Sequence, residues 1–71
     1  MDNKEILFNE LKNILEVKDI DENFLLEGNM FWDSLAIVSS VALFDQIFQK
    51  RVTGDELVVC KTVFDLLTLA Q

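Results

Sequence analysis

Asp33-Ser34-Leu35 sets a hydroxyl between a carboxylate and a branched apolar side chain, where a polar, irregular stretch gives way to a long apolar run. Asp33 is suited to accept from the unpaired backbone N–H groups of a first helical turn, which puts Ser34 at the first helical position with its hydroxyl toward solvent. Those N–H groups and the helix dipole both favour an anion, so a serine at this point is well placed to carry a phosphodiester. Asp and Ser are also the commonest helix caps, and the same tripeptide in most proteins does no more than open a helix. Its meaning therefore depends on the elements that position it.

Those elements are helical. Over residues 2 to about 17, Leu7, Leu11, Ile14 and Leu15 recur at helical spacing, with Ile6 beside them and Glu5, Lys12 and Glu16 on the other side, which predicts a first amphipathic helix. Residues 18–32 have no regular period and mix Asp19, Asp21, Glu22 and Glu27 with Ile20, Phe24, Leu25, Leu26, Met30, Phe31 and Trp32. A loop of that length in a small domain is usually packed down or functional, and its apolar side chains are expected to pin it across the bundle. Its acidic start resembles a calcium loop only briefly, because Phe24 stands where that loop needs glycine and Met30 where it needs the bidentate glutamate.

A second helix is expected from residue 33 or 34 to about 49, closed by Lys50-Arg51 at the negative end of its dipole. One face, Ile37, Val41, Phe44 and Phe48 with Ser40 and Ile47 alongside, should fill the core. A second row, Leu35, Val38 and Ala42, starts beside Ser34 and reads equally as more core or as a surface for partners. After Val52-Thr53-Gly54, residues 55–59 read as a short third helix, since a lone strand there has no partner. Thr62 then caps a last helix with Val63, Leu66, Leu67 and Ala70 toward the core.

Composition agrees with a single small domain over residues 1–71. A chain of this size buries only about 60% of the surface it exposes when unfolded, so its core must be rich in large side chains. Here 51% of residues are hydrophobic, including six Phe and one Trp, and the absence of proline with only two glycines favours long helices over a turn-rich β architecture. Thirteen acidic residues against six basic ones give a net charge of −7, which repels nucleic acid and anionic membranes and favours basic protein surfaces as partners. Glu16, Asp19, Asp21, Glu22, Glu27 and Asp33, against Lys18 alone, concentrate that negative field near Ser34. No apolar run approaches the roughly 20 residues of a membrane span and the N-terminus lacks signal-peptide order, so the expectation is a soluble, cytoplasmic protein without membrane insertion. The lone Cys60 cannot form an internal disulfide, and without histidine there is neither a Cys/His nucleophile pair nor a typical zinc site. Cys60 is read as a small core residue, and the chain as no enzyme.

In length, helix spacing and motif position, the chain resembles the acyl carrier protein family. The likeness covers essentially the whole sequence: Asp33-Ser34-Leu35 matches the modification motif, the Val52 region the hydrophobic turn before the third helix, and Thr62-Val63 the start of the last, without gaps from Asp33 onward. The resemblance implies an all-α, small four-helix bundle of acyl-carrier type, with three longer helices and one short. It implies that Ser34, flanked by the motif residues Asp33 and Leu35, is the attachment point of covalent 4′-phosphopantetheine, transferred from coenzyme A by a magnesium-dependent phosphopantetheinyl transferase. Acyl groups would then be carried as thioesters on the arm's terminal thiol, handed between acyl-loading and acyl-transferring enzymes, with the carrier itself a monomer that catalyses nothing.

The chain departs from the housekeeping members of that family, which serve fatty acid biosynthesis and lipid metabolism. Their second helix is strongly acidic, whereas from Ser34 to Gln49 this one has Asp45 as its only charge. Phe31-Trp32 also replaces the small residues common just before the motif. Leu35, Val38, Ala42 and Trp32 are therefore expected to form a mostly apolar partner surface, more like that of specialised carriers in secondary metabolism. A general fatty-acid carrier and an aminoacyl or peptidyl carrier are the alternatives within the class. Outside it stands an unmodified helical interaction module that has kept the shape and lost the chemistry.

Overall fold

A computed structural model describes residues 2–71, and among them there are four helices and no strand: α1 (Asn3–Leu15), α2 (Ser34–Phe48), α3 (Gly54–Val58) and α4 (Val63–Leu69). Each helix starts at a side-chain cap: Asp2 accepts from the Lys4 N–H, Asp33 from Ala36, Thr53 from Glu56 and Thr62 from Asp65. The last two caps are reciprocal boxes, in which Glu56 and Asp65 also accept from the backbone of their own cap residue. Both long helices end on a non-glycine residue in the left-handed region, Glu16 (φ 55°) and Gln49 (φ 51°), whose N–H groups turn back onto the final carbonyls.

The expected proportions need one correction. The bundle has two long helices, of 13 and 15 residues, and two short ones, of 5 and 7, instead of three long and one short. The Thr62–Asp65 box fixes the start of α4 at Val63, and at Ala70 the backbone N–H already closes back on Leu66 and Leu67, leaving two turns. Val63 and Leu66 are fully buried, while Leu67 and Ala70 are half-buried at the edge of the core.

Leu7, Leu11 and Leu15 of α1 are completely buried, as are Phe44, Leu57, Val63 and Leu66. Leu26, Val52 and Cys60 complete the core, and Ile14 flanks it half-buried. On α2 the innermost line runs one residue aside from the expected stripe, through Ala36, Ser40 and Phe44, because the small side chains occupy the centre of the packed face. Ile37, Val41, Ile47 and Phe48 pack on either side, and the Phe44 and Phe48 rings meet at a tilt with centroids 5.6 Å apart. Ser40 is buried without penalty, since its Oγ donates to the Ala36 carbonyl at 2.8 Å.

The segment between α1 and α2 does the work of a missing layer. Its backbone is fastened to the joint between α3 and α4: Leu26 N–H and Glu27 N–H both donate to the Lys61 carbonyl (2.7 and 3.1 Å), Val63 N–H donates to Phe24 (3.0 Å), and Phe64 N–H to Glu22 (2.9 Å). Leu25 and Thr62 form an isolated antiparallel bridge at the centre of this run. The expectation that its apolar side chains pin it across the bundle holds for some of them and not for others. Leu26 is buried and Ile20, Phe24 and Trp32 pack against the core, but Leu25, Met30 and Phe31 face outward. The alternation at Phe24, Leu25 and Leu26 is that of an extended strand, which turns successive side chains to opposite sides. Gly28 (φ 80°) makes the turn that follows, in a conformation L side chains rarely adopt.

Phe44→Ala should cost about 3–5 kcal/mol, a large part of a small domain's stability, whereas Leu35→Ala, on an exposed position, should stay within about 0.5 kcal/mol. Thermal melts of the two variants make the comparison, and equal destabilisation would contradict the placement of Leu35 outside the core.

Candidate functional site

Ser34 is the first residue of α2 and is exposed. Asp33 holds an extended backbone, its Oδ1 accepts from the Ala36 N–H at 3.0 Å, and its carbonyl accepts from the Ile37 N–H at 2.9 Å. The carboxylate is thus engaged with the helix start, and Ser34 beside it is exposed, as the sequence predicts. Of the other serines, Ser40 is wholly buried and Ser39 half-buried within α2. Only Ser34 combines exposure with a helix start.

From Ser34 the outer face of α2 carries Leu35 (75% exposed), Val38 (65%) and the exposed Ala42. The two readings of this row are thereby separated: it is surface, not core. Met30, 81% exposed, and Phe31, 40%, extend apolar surface along the preceding loop, outside the group that pins it to the core. Val58 and Val59 at the end of α3 are exposed as well, and nothing in the reading of the third helix singled them out. Asp45 is the only charged side chain of α2, so the row presents hydrocarbon with no charge on its own helix near Ser34.

Trp32 stands apart from Leu35, Val38 and Ala42. It is half-buried against the core, and its Nε1–H is buried with no hydrogen-bond partner among the described residues. One edge of Trp32 lines a cleft of about 400 Å³ that also takes in Val58, Val59 and Cys60. On the other side of the motif, a groove of about 250 Å³ runs between α2 and the end of α1, and Asp33 and Leu35 both line it.

Cys60 is buried, and its Sγ lies 3.4 Å from the Glu56 carbonyl, to which it donates. Burial pushes the thiol's pKa up, and the carboxylates of Asp65 and Glu56 push it further in the same direction. Buried at 7% exposure, this sulfur is closed off from an approaching reactant, and a thiol kept protonated is a poor nucleophile. Asp21, in the acidic stretch before Phe24, uses its Oδ1 to accept from the Asn23 N–H at 2.9 Å within a turn.

The raised Cys60 pKa sets a pH dependence. Because the folded state holds the proton more tightly than the unfolded chain, its contribution to stability is complete below the ordinary thiol range near 9.0 and is lost as pH rises through the folded pKa. Urea melts from pH 7 to 10 should show an alkaline loss of stability that shrinks in Cys60→Ala, and unchanged pH profiles would remove Cys60 as its source.

No protein-family model matches the chain, and comparisons with curated proteins and with solved structures likewise return no match.

Proposed function

We propose that this protein is an acyl carrier of a specialised biosynthetic pathway, bearing 4′-phosphopantetheine on Ser34. The observation that carries the reading is Ser34 itself, an exposed serine at the first residue of a 15-residue helix whose start Asp33 already caps. In modification, the Ser34 Oγ would attack the pantetheine-bearing phosphate of coenzyme A, forming the new phosphodiester as the pyrophosphate bond breaks and 3′,5′-ADP leaves, with the hydroxyl proton passing to the transferase. Asp33 would hold the backbone of the turn in register, and the unpaired N–H groups of the first turn suit the added negative charge. The arm, once attached, supplies the thiol on which acyl groups are held, a role Cys60 cannot fill. A monomeric shuttle of this kind gains from tethering, which raises effective concentration at each enzyme it meets.

Leu35, Val38 and Ala42 would form the surface met by the loading and transferring enzymes. Exposed charges steer encounter, and apolar contact then holds the complex. The acids of the preceding loop, Asp21 and Glu27 among them, are placed for steering. An apolar row in place of an acidic one is what favours a specialised pathway over the general fatty-acid system.

Incubation with coenzyme A, magnesium and a broad-specificity transferase should add one phosphopantetheine mass to the wild-type chain and none to Ser34→Ala. A folded wild-type protein that takes no mass would instead support the unmodified interaction module. Binding of the holo-protein to its cognate enzyme should weaken only modestly between low and high salt, because screening acts on exposed charge pairs and spares buried apolar contact. In an acylation assay beside an ordinary fatty-acid carrier, a general ketosynthase should use this protein poorly. Comparable turnover would overturn the specialised pathway and leave the carrier standing.

A further inference from the structure

The groove between α1 and α2 opens at the two residues that flank Ser34, since Asp33 and Leu35 are both in its wall. Across from them stand Ile14 of α1 and Glu16 just past its end, with Phe31 from the loop and Ser39 one turn along α2. The apolar part is Ile14, Phe31, Leu35 and Ala36, and the polar part is the Asp33 carboxylate, already engaged with the Ala36 N–H, the exposed Glu16 carboxylate and the half-buried Ser39 hydroxyl.

We infer that this groove seats the root of the arm, the dimethyl- and amide-bearing segment next to the phosphodiester, and not the acyl group at its far end. The inference rests on the carrier reading and adds to it which residues hold the arm. Three observations converge on it.

The first is position. A groove that begins at the neighbours of Ser34 is adjacent to the root, whereas a thioester at the tip would have to fold back on its own tether and bear the entropy of closing that loop. The second is size. Its volume of about 250 Å³ falls below the roughly 300–1,000 Å³ of pockets that enclose drug-sized ligands, so it has room for a short segment and not for an arm with its cargo. The third is chemistry. Ile14, Phe31 and Leu35 present hydrocarbon to geminal methyl groups, and the Ser39 Oγ and Glu16 carboxylate stand as acceptors for amide N–H groups.

Holding the root shortens the freely moving part of the tether, which concentrates the tip around α2. The cargo then stays presented beside Leu35 and Val38, on the face open to partner enzymes.

The test uses full-length holo-protein made with coenzyme A and the transferase, verified by intact mass and compared with the apo form by NMR. Contacts are expected from the geminal methyls to the Phe31 ring and the Ile14 methyls, with shifts of the Glu16 and Ser39 amides between apo and holo. Ser39→Phe, which fills the groove, should abolish the Ile14 contacts and narrow the geminal methyl signals toward those of free pantetheine, with Ser34 still taking the added mass. Phe31→Ala, in the loop and outside every helix, should give the same narrowing and serves if the larger side chain disturbs α2. Complete modification with shifts confined to residues 33–36, or methyl contacts to the cleft at Val59 in place of Ile14, would overturn the groove assignment alone. Absence of any added mass would overturn the carrier reading and the groove with it.

Discussion

Four backbone hydrogen bonds from the segment before α2 to the joint before α4 hold this fold in one arrangement. Two helices of 13 and 15 residues joined by a long irregular segment have no reason to settle into one geometry unless that segment is fixed. Leu26 and Glu27 share the Lys61 carbonyl, and the chain on either side runs antiparallel to residues 62–64, so the segment satisfies part of its backbone there while dropping Leu26 into the core. Polar backbone that is neither in a helix nor in water has to find such partners. The position of the α2 N-terminus, and with it of Ser34, follows from that anchoring.

The helices themselves were largely legible in the residues. Leu7, Leu11 and Leu15 repeat at helical spacing and are all fully buried, and Asp33 and Thr62 cap the helices they were expected to cap. The third helix starts one residue earlier than expected because Thr53 and Glu56 form a capping box, a Thr-x-x-Glu signal present in the sequence and overlooked beside the β-branched Val58-Val59. The loop was harder to read. Which of Leu25, Leu26, Met30 and Phe31 turns inward depends on pairing with residues far along the chain, and no local period records that pairing.

At the site, periodicity located the two faces of α2 but left the outer row ambiguous, because Leu35 and Val38 are as apolar as any core residue. Tertiary packing decided it: α1 and α3 cover the Ala36–Ser40–Phe44 side and leave the Leu35–Val38–Ala42 side bare. Trp32 shows the opposite limit. Its chemistry suited a partner surface, yet the ring packs against the core while Met30 and Phe31, its near neighbours, turn outward.

The double acceptor at Lys61 also bears on the order in which the molecule can assemble. A contact between residues so distant in sequence closes a large loop, and so carries an entropy cost that contacts within a helix do not. On the ribosome, α1 and α2 can be complete while the segment between them still lacks its anchor. The start of α2 is then defined by its cap alone, and the site acquires its final surroundings when residues 61–64 emerge and accept the loop.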